Sequence, residues 1–115
     1  MRPETQLQRT LVRYLTVKGY RSVAIPNGAV LRGDKMDRAR QMANLKRDGL
    51  TPGFPDLIVY GTDGRVGHIE VKIEGRYQSA SQKDCERWLT ELGQKVAVCR
   101  SIEDIDETLQ QWGWQ

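Results

Sequence analysis

The sequence has one histidine, His68, one phenylalanine, Phe54, and two cysteines, Cys85 and Cys99. Neither cysteine belongs to a C-x-x-C pattern, and with a single histidine they cannot complete the usual four-ligand set of a structural zinc. No apolar run approaches the ~20 residues that cross a bilayer, and no charged start leads into an apolar signal-peptide core. These absences lead to the expectation of a soluble, cytoplasmic chain with free thiols. Internal repeats, low-complexity tracts and Pro- or Ser-rich linkers are also missing, so the 115 residues read as one domain spanning 1–115. A composition of 38% hydrophobic and 29% charged residues supports a globule with a modest core, which dimerisation would supplement. The net charge of +3 is too small to indicate a polyanionic partner by itself.

The distribution of charge says more than its sum. Arg32, Lys35, Arg38, Arg40, Lys46 and Arg47 fall between Arg32 and Asp48 against three acids, whereas residues 101–115 hold four acids and no base. One face is therefore expected to be positive. Leu7, Leu11, Tyr14 and Leu15 mark a helix from about Glu4 to Lys18, stopped by Gly19, with Glu4 extending its stripe. A short strand over Arg21–Ile25 closes at Pro26-Asn27-Gly28. A charged surface helix follows from about Lys35 to Asp48, with the small apolar set Met36, Ala39, Met42, Ala43 and Leu45. Strands at Asp56–Tyr60 and Val66–Ile73 flank Gly61-Thr62-Asp63-Gly64 and so form an antiparallel hairpin. Ser79-x-x-Gln82 is a capping box opening a helix to Leu92, with Cys85, Trp88, Leu89 and Leu92 facing inward. A buried strand over Val96–Cys99 and a helix capped by Ser101 complete the chain, and Trp112 and Trp114 read as core anchors. The order predicts an α/β fold, a mixed sheet with helices on both faces.

Side chains alternate along a strand, so His68, Glu70 and Lys72 share one face of Val66–Ile73, with alpha carbons of Glu70 and Lys72 roughly 7 Å apart. The hairpin brings Asp56, at the start of the partner strand, towards Glu70. Paired carboxylates repel unless a cation or proton stands between them. Mg2+ or Mn2+ satisfies both, since such ions take hard oxygen ligands, usually one or two carboxylates with waters and a substrate phosphate. Lys72 beside the ion can orient the attacking water or neutralise charge developing on the phosphate.

Pro55-Asp56 followed by Glu70-Val71-Lys72 resembles the PD-(D/E)XK signature of the restriction-endonuclease-like superfamily. Glu4 with Gln8, Gly53-Phe54-Pro55-Asp56-Leu57, Ile69-Glu70-Val71-Lys72 and Ser81-Gln82 before Gly93 together resemble the VRR-NUC family, the virus-type replication-repair nucleases, over about Glu4 to Cys99. The resemblance implies a restriction-endonuclease-like fold and a metal-dependent deoxyribonuclease. It implies Asp56, Glu70 and the Val71 carbonyl as metal ligands, Glu4 as a ligand directly or through water, Lys72 as the catalytic lysine, and Gln82 as the residue positioning the lysine or substrate. Short members of the family, from phages and bacteria, act as homodimers and prefer four-way (Holliday) junctions in DNA. That implies the same partners here, in a bacterial cell or a phage-infected host, and a role in DNA repair.

The plainer readings stand beside these. Glu70 and Lys72 also fit a solvated strand face, Gln82 fits a simple capping residue, and Glu4 fits the acid preference of any first helical turn. Arg38, Arg40, Lys46 and Arg47 fit either a solvated helix face or DNA phosphate contacts; Arg76 and Tyr77 fit either a plain loop or the DNA backbone. His68 reads as a surface strand residue. Residues 28–35 superficially resemble a phosphate-binding P-loop, but Asp34 follows the second glycine where that motif requires Lys and then Ser or Thr, so no nucleotide cofactor is expected. Two rivals to the endonuclease remain: a branched-DNA-binding module of the same fold without catalysis, and a sequence-specific restriction-type enzyme, for which the chain has little room to carry a base-reading insertion.

Overall fold

In the computed structural model, which describes residues 1–26 and 31–114, the elements follow in the order α1 (Pro3–Val17), β1 (Arg21–Ala24), α2 (Lys35–Arg47), β2 (Leu57–Tyr60), β3 (Val66–Val71), α3 (Ala80–Glu91), β4 (Lys95–Cys99) and α4 (Ile102–Gln111). The expected turn at Pro26-Asn27-Gly28 and the start of the P-loop-like stretch fall partly on 27–30, outside the described residues. Pro3 opens α1, where its missing N–H has no intrahelical partner to lose. Ser79 and Gln82 form the capping box of α3, each side chain bonding the other's backbone N–H, and the Ser101 hydroxyl accepts from the Asp104 N–H at the start of α4.

The sheet order is β1-β2-β3-β4. β1, β2 and β3 run antiparallel, while β4 lies parallel to β3 after the α3 crossover, giving the expected mixed sheet. Asp63 and Gly64, at φ of 59° and 74°, make the β2–β3 connection a tight turn of the kind whose twist suits a hairpin. Its register pairs Leu57 with Ile69 and Ile58 with His68. Leu57, Ile69, Val71 and Cys99 face α1 and α4, burying Leu11, Leu15, Ile105, Leu109 and Trp114 with them. Trp112 lies directly over Gly67, where any Cβ would strike the indole ring. The opposite face of β3 carries His68 and Glu70 and meets Phe54 and α3: Phe54 stands edge-on to His68 at 5.7 Å and tilted to Trp88 at 6.3 Å. Helices thus cover both faces of the sheet.

Several expectations are corrected. His68 is buried, with Nδ1 3.0 Å from the Lys95 carbonyl oxygen, because α3 and Phe54 roof its face. Leu92 is 71% exposed, since α3 ends at Glu91 and Leu92 has become its C-cap. β4 is an edge strand and only half-buried over Val96–Val98, with Cys99 fully buried. Strand β3 ends at Val71 and β2 begins at Leu57, so Lys72 and Asp56 lie one residue beyond the strands. Both remain fastened to the sheet: the Lys72 N–H donates to the Cys99 carbonyl at 3.1 Å, and the Asp56 carbonyl accepts from the Ile25 N–H at 2.8 Å. Among the described residues, α2 packs on no other helix or strand and buries none of its own residues.

Candidate active site

The site begins with the ends of two neighbouring strands. Asp56 leads into β2 behind the buried Pro55, and its carboxylate accepts a 2.7 Å hydrogen bond from the Val71 N–H at the end of β3. That bond crosses the strand pair and fixes the Asp56 carboxylate against the Glu70-Val71-Lys72 segment. Glu70, one residue earlier, projects to the α3 face and is almost wholly buried, at 2% exposure. The Asp56 and Glu70 carboxyl groups lie within hydrogen-bonding reach of each other.

Two donors attend Glu70 Oε2. Gln82 Nε2 donates to it at 2.8 Å, and Lys72 Nζ stands 3.7 Å away with its side chain only 12% exposed. Gln82 has the expected capping use, its Oε1 accepting from the Ser79 N–H at 2.8 Å, while its Nε2 reaches across to Glu70 rather than to the lysine. The capping box is therefore what aims the amide at Glu70. Gly53 makes the approach achievable: at φ +83° its missing Cβ leaves room for the Ser81 carbonyl and the Gln82 N–H, 2.6 Å from where that carbon would stand.

Burial and the neighbouring Asp56 carboxylate together push the Glu70 carboxyl up to about 8, more than Lys72 pulls it down, and Glu4 adds a smaller push in the same direction. At neutral pH a buried pair of this kind holds a proton or a cation between its oxygens. Asp56 and Glu70 carry hard oxygen donors of the kind that an ion such as Mg2+ or Mn2+ would take, with the Val71 carbonyl adjoining in sequence. Among the described residues no three His, Cys, Asp or Glu side chains converge as a closed ligand set. Two carboxylates with open positions suit an ion that keeps waters and shares a phosphate better than a structural metal.

Glu4 lines a cleft of about 390 Å³ together with Lys72, Arg2, Arg76 and Tyr77, so it stands beside the carboxylate pair without making a third ligand of that set. Of the expected DNA contacts, Arg76 and Tyr77 thus border the site. Arg38, Arg40, Lys46 and Arg47 lie apart, on α2, all exposed; Arg40 pairs with Asp37 at 3.4 Å and Arg47 donates to Asn44 at 2.7 Å. A larger cleft, about 470 Å³ beside Val96 and Val98, contains none of the candidate residues. Two side chains at the site had no signal in the sequence: Arg2 in the cleft wall, and Arg100, whose guanidinium lies 5.6 Å from the Tyr77 ring. Arg100 arrives from the end of β4, and only the parallel pairing of β4 with β3 brings it there.

The sequence matches no protein-family model and no curated protein. Among solved structures, a VRR_NUC domain protein superposes with a TM-score of 0.62 at 22% sequence identity, over 97% of this chain and 88% of that one. No helix among the described residues is long and apolar enough to cross a membrane. With the strand order, the helices on both faces and this superposition in agreement, the chain shares the α/β fold of that VRR_NUC domain protein.

Proposed function

We propose that the chain, acting as a single nuclease domain over 1–115, is a divalent-metal-dependent DNA endonuclease that hydrolyses phosphodiester bonds. The observation that carries this reading is the pair of carboxyl groups, Asp56 and Glu70, held against each other at the ends of two hydrogen-bonded strands with an ammonium group beside them. Mg2+ or Mn2+ held by Asp56, Glu70 and the Val71 carbonyl would act as a Lewis acid on the phosphate. Lys72 neutralises charge developing on the phosphoryl oxygens and orients the attacking water, from a position where burial strengthens its field. Gln82 holds Glu70 in its rotamer, so that the carboxylate needs no rearrangement at the moment of reaction. Glu4, in the adjoining cleft, accepts hydrogen bonds from water at the metal side of the site. The VRR_NUC name of the structural neighbour agrees with this chemistry.

The substrate of this reading is branched DNA, above all the four-way junction, cut by a homodimer. A twofold axis presents two equivalent sites to a substrate whose arms are themselves nearly symmetric. The exposed basic side chains of α2 add phosphate contacts away from the cut. A cleavage assay over single-stranded, flap, linear and four-way DNA, with Mg2+, with Mn2+ and with EDTA, tests the proposal. Metal-dependent strand scission by the wild type, lost in Glu70→Ala while circular dichroism stays native, is the expected result. Cleavage that persists in Glu70→Ala would sink the site, and junction binding without cleavage by either protein would make the chain a binding module.

A further inference from the structure

The cleft beside Lys72 is built for more than a phosphate. Three cations, Arg2, Lys72 and Arg76, face one carboxylate, Glu4, across its walls, and its fifth lining side chain of note is an aromatic ring, Tyr77. Tyr77 is 79% exposed, an unusual setting for a large ring, yet it is held in place. One side of it meets the Arg100 guanidinium at 5.6 Å. Arg100 in turn donates to the Arg76 carbonyl at 2.7 Å, and its own backbone N–H donates to Asp104 at 2.8 Å. The loop that carries Tyr77 is pinned by the Arg76 N–H bond to the Ile73 carbonyl, 3.1 Å, and by Gln78 donating to Glu86, 3.1 Å. A guanidinium behind an aromatic ring fixes its orientation, and the rest of the ring is left to the solvent. The same loop joins Lys72 to the capping box of Gln82, and both Lys72 and Gln82 contact Glu70.

A nucleotide presents an anionic phosphate and a flat base, the two groups that this cleft and this ring match. We propose that the Arg2–Arg76–Tyr77 cleft, backed by Arg100, is a nucleotide subsite in which Tyr77 stacks on an unpaired base while Arg2 and Arg76 hold the phosphate next to the cleaved one. The substrate class it selects is branched DNA with an unpaired base beside the cut, as in a flap or at a four-way junction whose branch-point pair has opened. A base still paired and stacked in continuous duplex has no free face to offer the ring. The inference rests on the nuclease reading only for the identity of the bond that is broken. Its volume, about 390 Å³, falls within the ~300–1,000 Å³ of small-ligand sites.

The test uses the full chain and a flap duplex with 2-aminopurine as the unpaired base next to the branch, and reads two signals. In Ca2+, which takes the same oxygen ligands, wild type and Tyr77→Phe quench the probe by stacking; Tyr77→Ala does not, and Arg100→Gln does so more weakly. In Mg2+ or Mn2+, Tyr77→Ala lowers kcat/KM on the flap substrate, relative to the matched continuous duplex, by roughly 5- to 150-fold, the loss expected for one base–aromatic stack. Truncating so exposed a ring leaves the fold intact, which an unchanged melting temperature verifies. Equal quenching by Tyr77→Ala, or an equal loss on both substrates, overturns the subsite. Quenching that requires Tyr77 in a protein that cleaves nothing keeps the subsite and sinks the nuclease reading instead.

Discussion

Gln82 serves two masters, the end of a helix and a buried carboxylate, and the two can be separated by substitution. Gln82→Ala removes both the bond to the Ser79 N–H and the bond to Glu70, so stability should fall by about 1–2 kcal/mol and cleavage by an order of magnitude or more. Gln82→Glu keeps an oxygen for the cap but turns a third carboxylate towards Asp56 and Glu70. Its metal-free melting temperature should drop most at high pH, and cleavage should fall as in Gln82→Ala. Calorimetry beside single-turnover kinetics reads both; equal activity in the three proteins would leave Gln82 as a cap alone. Glu70 itself makes a pH prediction. Its folded-state value near 8 stands above the ordinary 4.5, so the stability it contributes is complete below about 4.5 and is lost as pH rises to about 8, when the buried group gives up its proton. The metal-free protein should therefore lose a few kcal/mol across that window. Mg2+ or Mn2+, which stabilises the charged form, should restore more stability at pH 8 than at pH 5. Glu70→Gln should flatten the profile, and a plot of Tm against pH in EDTA that is as steep in Glu70→Gln as in the wild type would refute the assignment.

At the scale of the element, the site depends on how closely the start of α3 approaches the loop before β2. Gly53 permits that approach through a positive φ and a missing Cβ. Gly53→Ala drives a methyl group into the Ser81 and Gln82 backbone, which cannot swing aside as a side chain can. The expected result is a loss of about 2 kcal/mol or more with a weakened Gln82–Glu70 hydrogen bond, read as lower Tm and lower kcat together; wild-type values for both would contradict the packing. Helix α2 behaves in the opposite way, because among the described residues it rests on no other element. Replacing Arg38 and Lys46 by Ala should leave stability within about 0.5 kcal/mol. DNA affinity should fall, and the slope of log affinity against log salt should become shallower by about 0.9 for each phosphate that a basic side chain no longer neutralises. Unchanged affinity would make α2 a solvated arm with no part in DNA binding.

The whole molecule measures 48 × 34 × 23 Å with a radius of gyration of 15.4 Å, above the about 13 Å ordinary for its length, and the unsupported α2 fits that elongation. A small core, and a helix that among the described residues packs on no other element, would gain from a second copy, and the proposed cutting of both strands at a junction needs one. Sedimentation equilibrium should give twice the 13.2 kDa of the chain at micromolar concentration. A strict monomer that still nicks branched DNA would remove the paired-cut part of the proposal and keep its chemistry. Much of this architecture was legible residue by residue: the Asp63-Gly64 turn fixed the hairpin, Ser79 with Gln82 announced the start of α3, and strand alternation set Glu70 across from the Ile69 and Val71 core face. His68 was not legible, because alternation tells which residues share a face and not whether another element roofs it.

The sequence by itself determined the secondary elements, their order and the segments carrying Asp56, Glu70 and Lys72, since hydrophobic period, caps and turns act over a few neighbouring residues. Only the tertiary structure decided that α3 and Phe54 would close over β3, that Gln82 would reach Glu70, that Arg100 would stand behind Tyr77 and that α2 would stand apart. Those arrangements join residues as far as 34 positions apart, Phe54 and Trp88, and their geometry follows from how the sheet and helices pack as bodies, which no local pattern specifies.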